Sequence, residues 1–150
     1  MSIVSVLLNI LWLIFGGVWS GLGWLLAGLI MALSVVGLPW AKAAFNIAIY
    51  SFLPFGRRAV RRDLVSGQED FGTGPLGTIG NIIWLLIAGW WLALIHLATA
   101  AVLAVTIIGI PFAWAHFKLA GLSLWPVGYI IVDNDFDLEI EPKQNVSRVE

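Results

Sequence analysis

From Ile3 to Phe55 the chain carries one charged residue, Lys42, and from Ile79 to Val132 it carries only Lys118. A helix rises ~1.5 Å per residue and the hydrocarbon core of a bilayer is ~30 Å thick, so about 20 apolar residues cross it. Each uncharged run is more than twice that length. A soluble chain of 150 residues cannot bury so much apolar surface, and in water the excess would aggregate. Composition agrees: 60% of residues are hydrophobic and 11% charged, against roughly half and a quarter in soluble domains. Mean hydropathy is +0.94. The expected solvent is a membrane.

The second constraint is internal. Residues 9–19 read NILWLIFGGVW and residues 81–91 read NIIWLLIAGWW. Residues 9–56 overlay on 81–128 without a gap, and Asn9, Trp12, Gly17, Trp19, Gly37, Pro39, Ser51, Pro54 and Gly56 recur identically. Aliphatic residues match by chance in apolar chains, but Asn, Trp and Gly-x-Pro in fixed register do not. This is a tandem duplication. Each unit opens with Asn-x-x-Trp, is interrupted by Gly-x-Pro, and ends at Pro-x-Gly. Pro39 and Pro111 disfavour helix in the residue before them and mark a kink or a helix start. Gly56 and Gly128 stand where a helix would stop.

These residues resemble a known family. Two copies of N-I-x-W, G-x-W, G-[LI]-P and P-x-G are similar to the YccF family, built from the bacterial inner membrane component domain. The likeness spans about residues 7–130. The second copy (Asn81, Trp84, Gly89, Trp91, Gly109, Ile110, Pro111, Trp125, Pro126, Gly128) is closer, and the first departs at Leu38 and Leu53. The resemblance implies a multi-pass protein of the bacterial inner membrane. It implies no activity.

The expected fold is an all-α integral membrane protein of two tandem units of roughly 50 residues. Four embedded helices are expected near 5–29, 34–54, 79–101 and 106–127. The alternative is two long spans with two short interfacial helices. Repeat 1 occupies 7–56, a basic linker 57–78, repeat 2 79–130 and an acidic tail 131–150. Arg57, Arg58, Arg61 and Arg62 place the linker in the cytoplasm by the positive-inside rule. Two crossings per unit make the repeats parallel; one makes them inverted. Asp133, Asp135, Asp137, Glu139 and Glu141 alternate as on a strand, and parallel repeats would bring them near the arginines. Both termini are then cytoplasmic.

On a helical wheel Gly17, Gly21, Gly28 and Ala32 share one face, and their repeat mates Gly89, Ala93, Ala100 and Ala104 are all small. Such a face allows close helix packing and predicts self-association into a homo-oligomer. Asn9, Trp12 and Trp19, with Asn81, Trp84 and Trp91, lie on another sector. They serve either as interfacial anchors, with Asn9 and Asn81 capping or bonding backbone near the span starts, or as the lining of a polar path.

Charged and titratable groups inside spans are functional candidates. Lys42 and Lys118 fall in the second half of their units, a helical turn apart in the overlay, and attract an anion or lipid headgroup unless they snorkel to the interface. His96 either moves protons or links its helix to a neighbour, and His116, two residues before Lys118, lies near the same cationic face. GTGPLG at 72–77 fits a dinucleotide-loop pattern but follows no strand and contains Pro75. DNDFD at 133–137 begins like a calcium loop yet has Leu138 at the glycine position and Gln144 at the last ligand position. The chain has no cysteine, and its acids and histidines lie in separate regions. No catalytic site, metal or cofactor is expected, nor any nucleic-acid partner. Two functions remain: a channel or transporter past Lys42, Lys118, His116 and His96, or a membrane scaffold docking a partner protein through the basic linker and acidic tail.

Overall fold

The computed structural model describes residues 2–136. Helix α1 (Ile3–Trp12) starts at Ser2, whose hydroxyl accepts a hydrogen bond from the Ser5 N–H at 3.2 Å, as an N-cap does. A single wide, π-type turn at Leu13–Gly17 leads into α2 (Val18–Leu33), so that Ile3–Leu33 forms one long apolar rod. After a tight turn α3 (Leu38–Phe52) runs back, with Pro39 in its first turn, where a missing N–H leaves no intrahelical bond unmade. The chain extends through Pro54, reverses at Gly56 (φ 83°) and enters β1 (Arg57–Arg61). A short α4 (Arg62–Ser66) ends at Gly67.

Unit 2 repeats this layout. Helix α5 (Pro75–Trp84), a wide turn at Leu85–Gly89, and α6 (Trp90–Ala104) make the second rod; α7 (Ile110–Leu124) returns, and Gly128 (φ 99°) leads to β2 (Tyr129–Asp133). Helix α5 begins inside the stretch assigned to the linker, because Pro75 is a first-turn residue there. Both rods are long and apolar enough to cross a membrane, and most of their surface faces outward.

The all-α expectation needs one correction. The start of the linker and the start of the tail pair as a two-stranded antiparallel ribbon. Its register runs from Arg57 opposite Asp133 to Arg61 opposite Tyr129, with Ala59 opposite Ile131 at the centre. The 72-residue repeat offset carries Arg57 onto Tyr129, Ala59 onto Ile131 and Arg61 onto Asp133. The ribbon therefore maps onto itself, and the units are related by an approximate two-fold axis through the central pair. Ile47 and Leu119, also repeat mates, are both 0% exposed in the core on which Ala59 and Ile131 pack.

The units interlock around this axis. Trp12 stacks on Phe112 of the other unit with centroids 6.2 Å apart, Phe55 meets the same ring edge-on at 5.8 Å, and Trp24 lies 6.2 Å from Trp84. The Trp40 indole N–H donates to the Gly80 carbonyl at 3.1 Å, and the Asn46 amide to the Tyr129 carbonyl at 2.8 Å. The start of each return helix thus lies against the other unit.

The hairpin tips are apolar. Leu33, Val35 and Val36 in unit 1 and Val105, Ile107 and Ile108 in unit 2 are all among the most exposed side chains. Their turns satisfy their own backbone: the Gly37 N–H bonds the Ser34 carbonyl at 3.1 Å, and the Gly109 N–H the Thr106 carbonyl at 3.0 Å. Apolar side chains over a self-bonded backbone suit hydrocarbon.

Candidate functional site

The motif Asn-x-x-Trp builds the same clasp twice. The Asn9 amide donates to the Phe55 carbonyl at 2.9 Å while its oxygen accepts from the Phe55 N–H at 3.0 Å. Asn81 treats Val127 likewise, at 3.0 and 2.9 Å. A primary amide carries a donor and an acceptor side by side, so it pairs with one residue of extended backbone as a neighbouring strand would. One helical turn on, the Trp12 indole N–H donates to the Ser51 carbonyl at 2.7 Å and that of Trp84 to the Ser123 carbonyl at 2.8 Å. These carbonyls lie in the last turn of α3 and α7, where no intrahelical donor remains. Both Asn and both Trp are buried. The recurring polar face therefore ties each return helix to its own rod. Trp19 and Trp91 are exposed and take no part.

Small residues make room for this arrangement. A side chain at Gly17 would overlap the Trp12 indole, and one at Gly21 or Gly28 would meet the Phe52 or Phe45 ring of α3 at 2.6 or 2.8 Å. In unit 2 a side chain at Gly89 would come within 3.1 Å of both Trp84 and the Ser123 carbonyl, and Ala93 is buried. This part of the small-residue face packs within the chain. Ala100 is half-buried, while Ala32 and Ala104, near the tips, are exposed.

The four residues of the expected path fall in three places. His96 and His116 meet between α6 and α7 with their Nδ1 atoms 3.0 Å apart, and His116 lies 5.0 Å from the Trp12 ring. Their repeat mates are Trp24 and Ala44, so two medium rings replace one large and one small side chain. Lys42 is exposed and lines a cavity of about 300 Å³ with Arg62 and Asp70. Lys118 sits 5.9 Å from the Trp114 ring centre and lines a different cavity with Arg58 and Tyr50.

The ribbon and linker carry the ion pairs. Arg57 meets Asp133 across the ribbon at 3.4 Å, and Arg61 meets Asp63 at 2.8 Å. Arg62 grips Asp70 with two hydrogen bonds, at 2.7 and 2.9 Å. Asp70 also accepts from the Gly72 and Thr73 N–H groups at 2.8 and 3.0 Å, folding GTGPLG into a turn at the foot of α5. The Arg62 guanidinium first, then Gly72 and Thr73, hold the Asp70 carboxyl well below the usual carboxylate range. Arg61 does the same to Asp63. Asp133 closes β2 and Asp135 lies in the turn beyond it; Asp137, Glu139 and Glu141 fall outside the described residues. Among the described residues no three metal-binding side chains cluster.

Tyr50, Asp63 and Asp70 are the site residues sequence reasoning passed over, and Arg58 was read only as one of four arginines placing the linker. The acids sit within a few residues of the arginines, and that proximity was the available signal for their pairing.

Two helical hairpins clasped by Asn-Trp pairs and joined through a polar ribbon define a duplicated membrane protein. The Inner membrane component domain matches residues 7–57 and 79–129, and the chain belongs to this family, YccF. It is 40% identical over 126 residues to the Inner membrane protein YccF of Escherichia coli (strain K12), covering 83% of this chain and 85% of that one, and equally similar to its Shigella flexneri counterpart. No solved structure matches.

Proposed function

We propose that this protein is a non-enzymatic scaffold of the bacterial inner membrane. Its four main helical segments are embedded in the bilayer, its ribbon and both termini lie in the cytoplasm, and the ribbon docks a partner protein. The observation that carries the reading is the convergence of the basic linker and the start of the acidic tail in one two-stranded ribbon. Each strand of such a ribbon has one edge without a strand neighbour, and an extended segment of another protein can add there. The rival reading, a solute path, is supported by the His96–His116 contact but weakened by the separation of Lys42 from Lys118.

Photo-crosslinkers at the exposed positions Arg61 and Asp135 test the docking. Discrete adducts are expected from both positions, those from Asp135 disappearing in Arg61→Glu, with no protein-dependent ion flux in proteoliposomes. Flux abolished by Lys42→Ala and Lys118→Ala, without adducts, would replace the scaffold by a conduit. Orientation is read by single cysteines at Ser2, Gly67 and Ser147 in this cysteine-free chain. All three should resist an impermeant thiol reagent applied to intact cells; labelling of Ser2 and Ser147 but not Gly67 would mean inverted repeats.

A further inference from the structure

The two-fold axis relates many positions of the units to like positions, and several of the departures from that rule meet at one cavity. A cavity of about 400 Å³ between α3, α7 and the ribbon is lined by Tyr50, Arg58, Lys118, Gly121 and Tyr129, among others. The repeat mates of the first four are Leu122, Ile130, Asn46 and Ile49. Three polar groups thus stand where the mates are two aliphatic residues and an amide, and a glycine replaces the isoleucine whose side chain would occupy space. The duplicated architecture alone demands none of these changes.

The polar groups are also under-used. Tyr50 is 1% exposed, and its hydroxyl has no hydrogen-bond partner among the described residues. The Arg58 Nε is buried without one, while another nitrogen of the same guanidinium donates to the Phe136 carbonyl at 2.7 Å. No carboxylate lines this cavity. The other three arginines of the linker, Arg57, Arg61 and Arg62, are paired with Asp133, Asp63 and Asp70, and the cavity beside Lys42 contains Asp70. Two cations and a phenol that can donate, gathered without an anion, suit a group that presents several acceptor oxygens. With the helices embedded as proposed above, this place, where apolar α7 passes beneath the ribbon, would lie level with the phosphates of the bilayer.

We propose that this cavity binds the phosphate of an anionic lipid headgroup, with Arg58 and Lys118 opposing its charge and the Tyr50 hydroxyl donating to one of its oxygens. The site rests on the embedding proposed above but not on the docking of a partner protein.

The test is native mass spectrometry of the full chain in detergent, titrated with phosphatidylglycerol or phosphatidylcholine. Retention of one phosphatidylglycerol at concentrations where phosphatidylcholine is lost is expected. Lys118→Met and Arg58→Gln should each weaken it at least tenfold, whereas Lys42→Met, at the other cavity, should leave it unchanged. Inorganic phosphate provides the second arm. If it competes with the lipid, the lipid phosphate is the group recognised; if it binds in a Lys118-dependent way and the lipid does not, the anion is a soluble one and the lipid assignment falls. Equal retention of both lipids, or unchanged affinity in Lys118→Met and Arg58→Gln with the melting temperature preserved, overturns the site.

Discussion

Replacing Asn81 with leucine keeps the approximate volume of the side chain and removes both halves of its clasp. Asn81 is 1% exposed and its two hydrogen bonds to Val127 are buried, so the Val127 N–H and C=O lose their partners where water does not easily reach. An unpaired buried backbone group costs ~1–3 kcal/mol, so the pair costs ~2–6 kcal/mol. Near the middle of that range, about 4 kcal/mol, the midpoint of a two-state transition in a chain of this size falls by roughly 8–16 °C. The assay is thermal unfolding in detergent, followed by tryptophan emission, to which Trp84 contributes from one turn away. Asn9→Leu makes the same deletion opposite Phe55, which is only half-buried; solvent can replace part of what is lost, so the drop should be smaller. Asn81→Asp keeps the acceptor for the Val127 N–H but sets an oxygen against the Val127 carbonyl, and should be at least as damaging as leucine. A loss below about 1 kcal/mol in Asn81→Leu, the floor for one unpaired buried group, or a larger loss in Asn9→Leu, would refute the clasp as an anchor.

Four further outcomes are expected. Trp84→Phe retains the ring but not the N–H that reaches the Ser123 carbonyl, and should lower stability by about 1–2 kcal/mol in the same melt. Gly21→Val pushes against the Phe52 ring and should cost about 1–3 kcal/mol, with little effect from Gly23→Val, which faces open space. Because the Asp70 carboxyl is held below its ordinary value of 3.8, its pairing contributes stability that is fully present above about pH 4 and is lost as pH falls through the lower folded value. Melting temperature in Asp70→Asn should accordingly depend less steeply on pH below 4, and an unaltered acid limb would contradict the assignment. At the tips, Val36→Asp or Ile108→Asp should reduce membrane insertion by about 2.5–3.5 kcal/mol each if the turns lie deep in hydrocarbon, read as the inserted fraction in a translation assay.

Much of the architecture was legible because it is local. Gly-x-Pro marked where α3 and α7 begin, Pro-x-Gly where they end, and the 3.6-residue spacing of Gly17, Gly21 and Gly28 marked the face that meets Phe45 and Phe52. The purpose of Asn-x-x-Trp was harder to see, since its partners lie 39 and 46 residues away and a tryptophan in an apolar segment suggests the interface before it suggests a buried donor. The nearness of Asp133 to the linker arginines was legible, but the strand pairing of the linker was not, for a related reason. RRAVR reads as a charged linker, and its strand character comes from Tyr129–Asp133, across the whole of unit 2. The wide turns at Leu13–Gly17, where Gly16 leaves helical geometry, and at Leu85–Gly89 leave the run of apolar residues unbroken, so periodicity could not reveal them. His96 and His116 were each weighed as separate groups; their meeting depends on how α6 and α7 pack, not on spacing.

The register of the ribbon also restricts which halves can be joined. Two copies of unit 1, paired as the strands are now, would set Arg57 against Arg61 at each end, and like charges directly opposite destabilise a strand pair. Two copies of unit 2 would instead set Tyr129 against Asp133, forgoing the present bridge between Arg57 and Asp133. Only the unlike pairing combines charges of opposite sign there. Duplication on one chain keeps the two halves at a high effective concentration and releases each from having to complement itself. Residues beside the axis can then diverge, one half becoming polar while its counterpart stays apolar, as Arg58 and Ile130 have done.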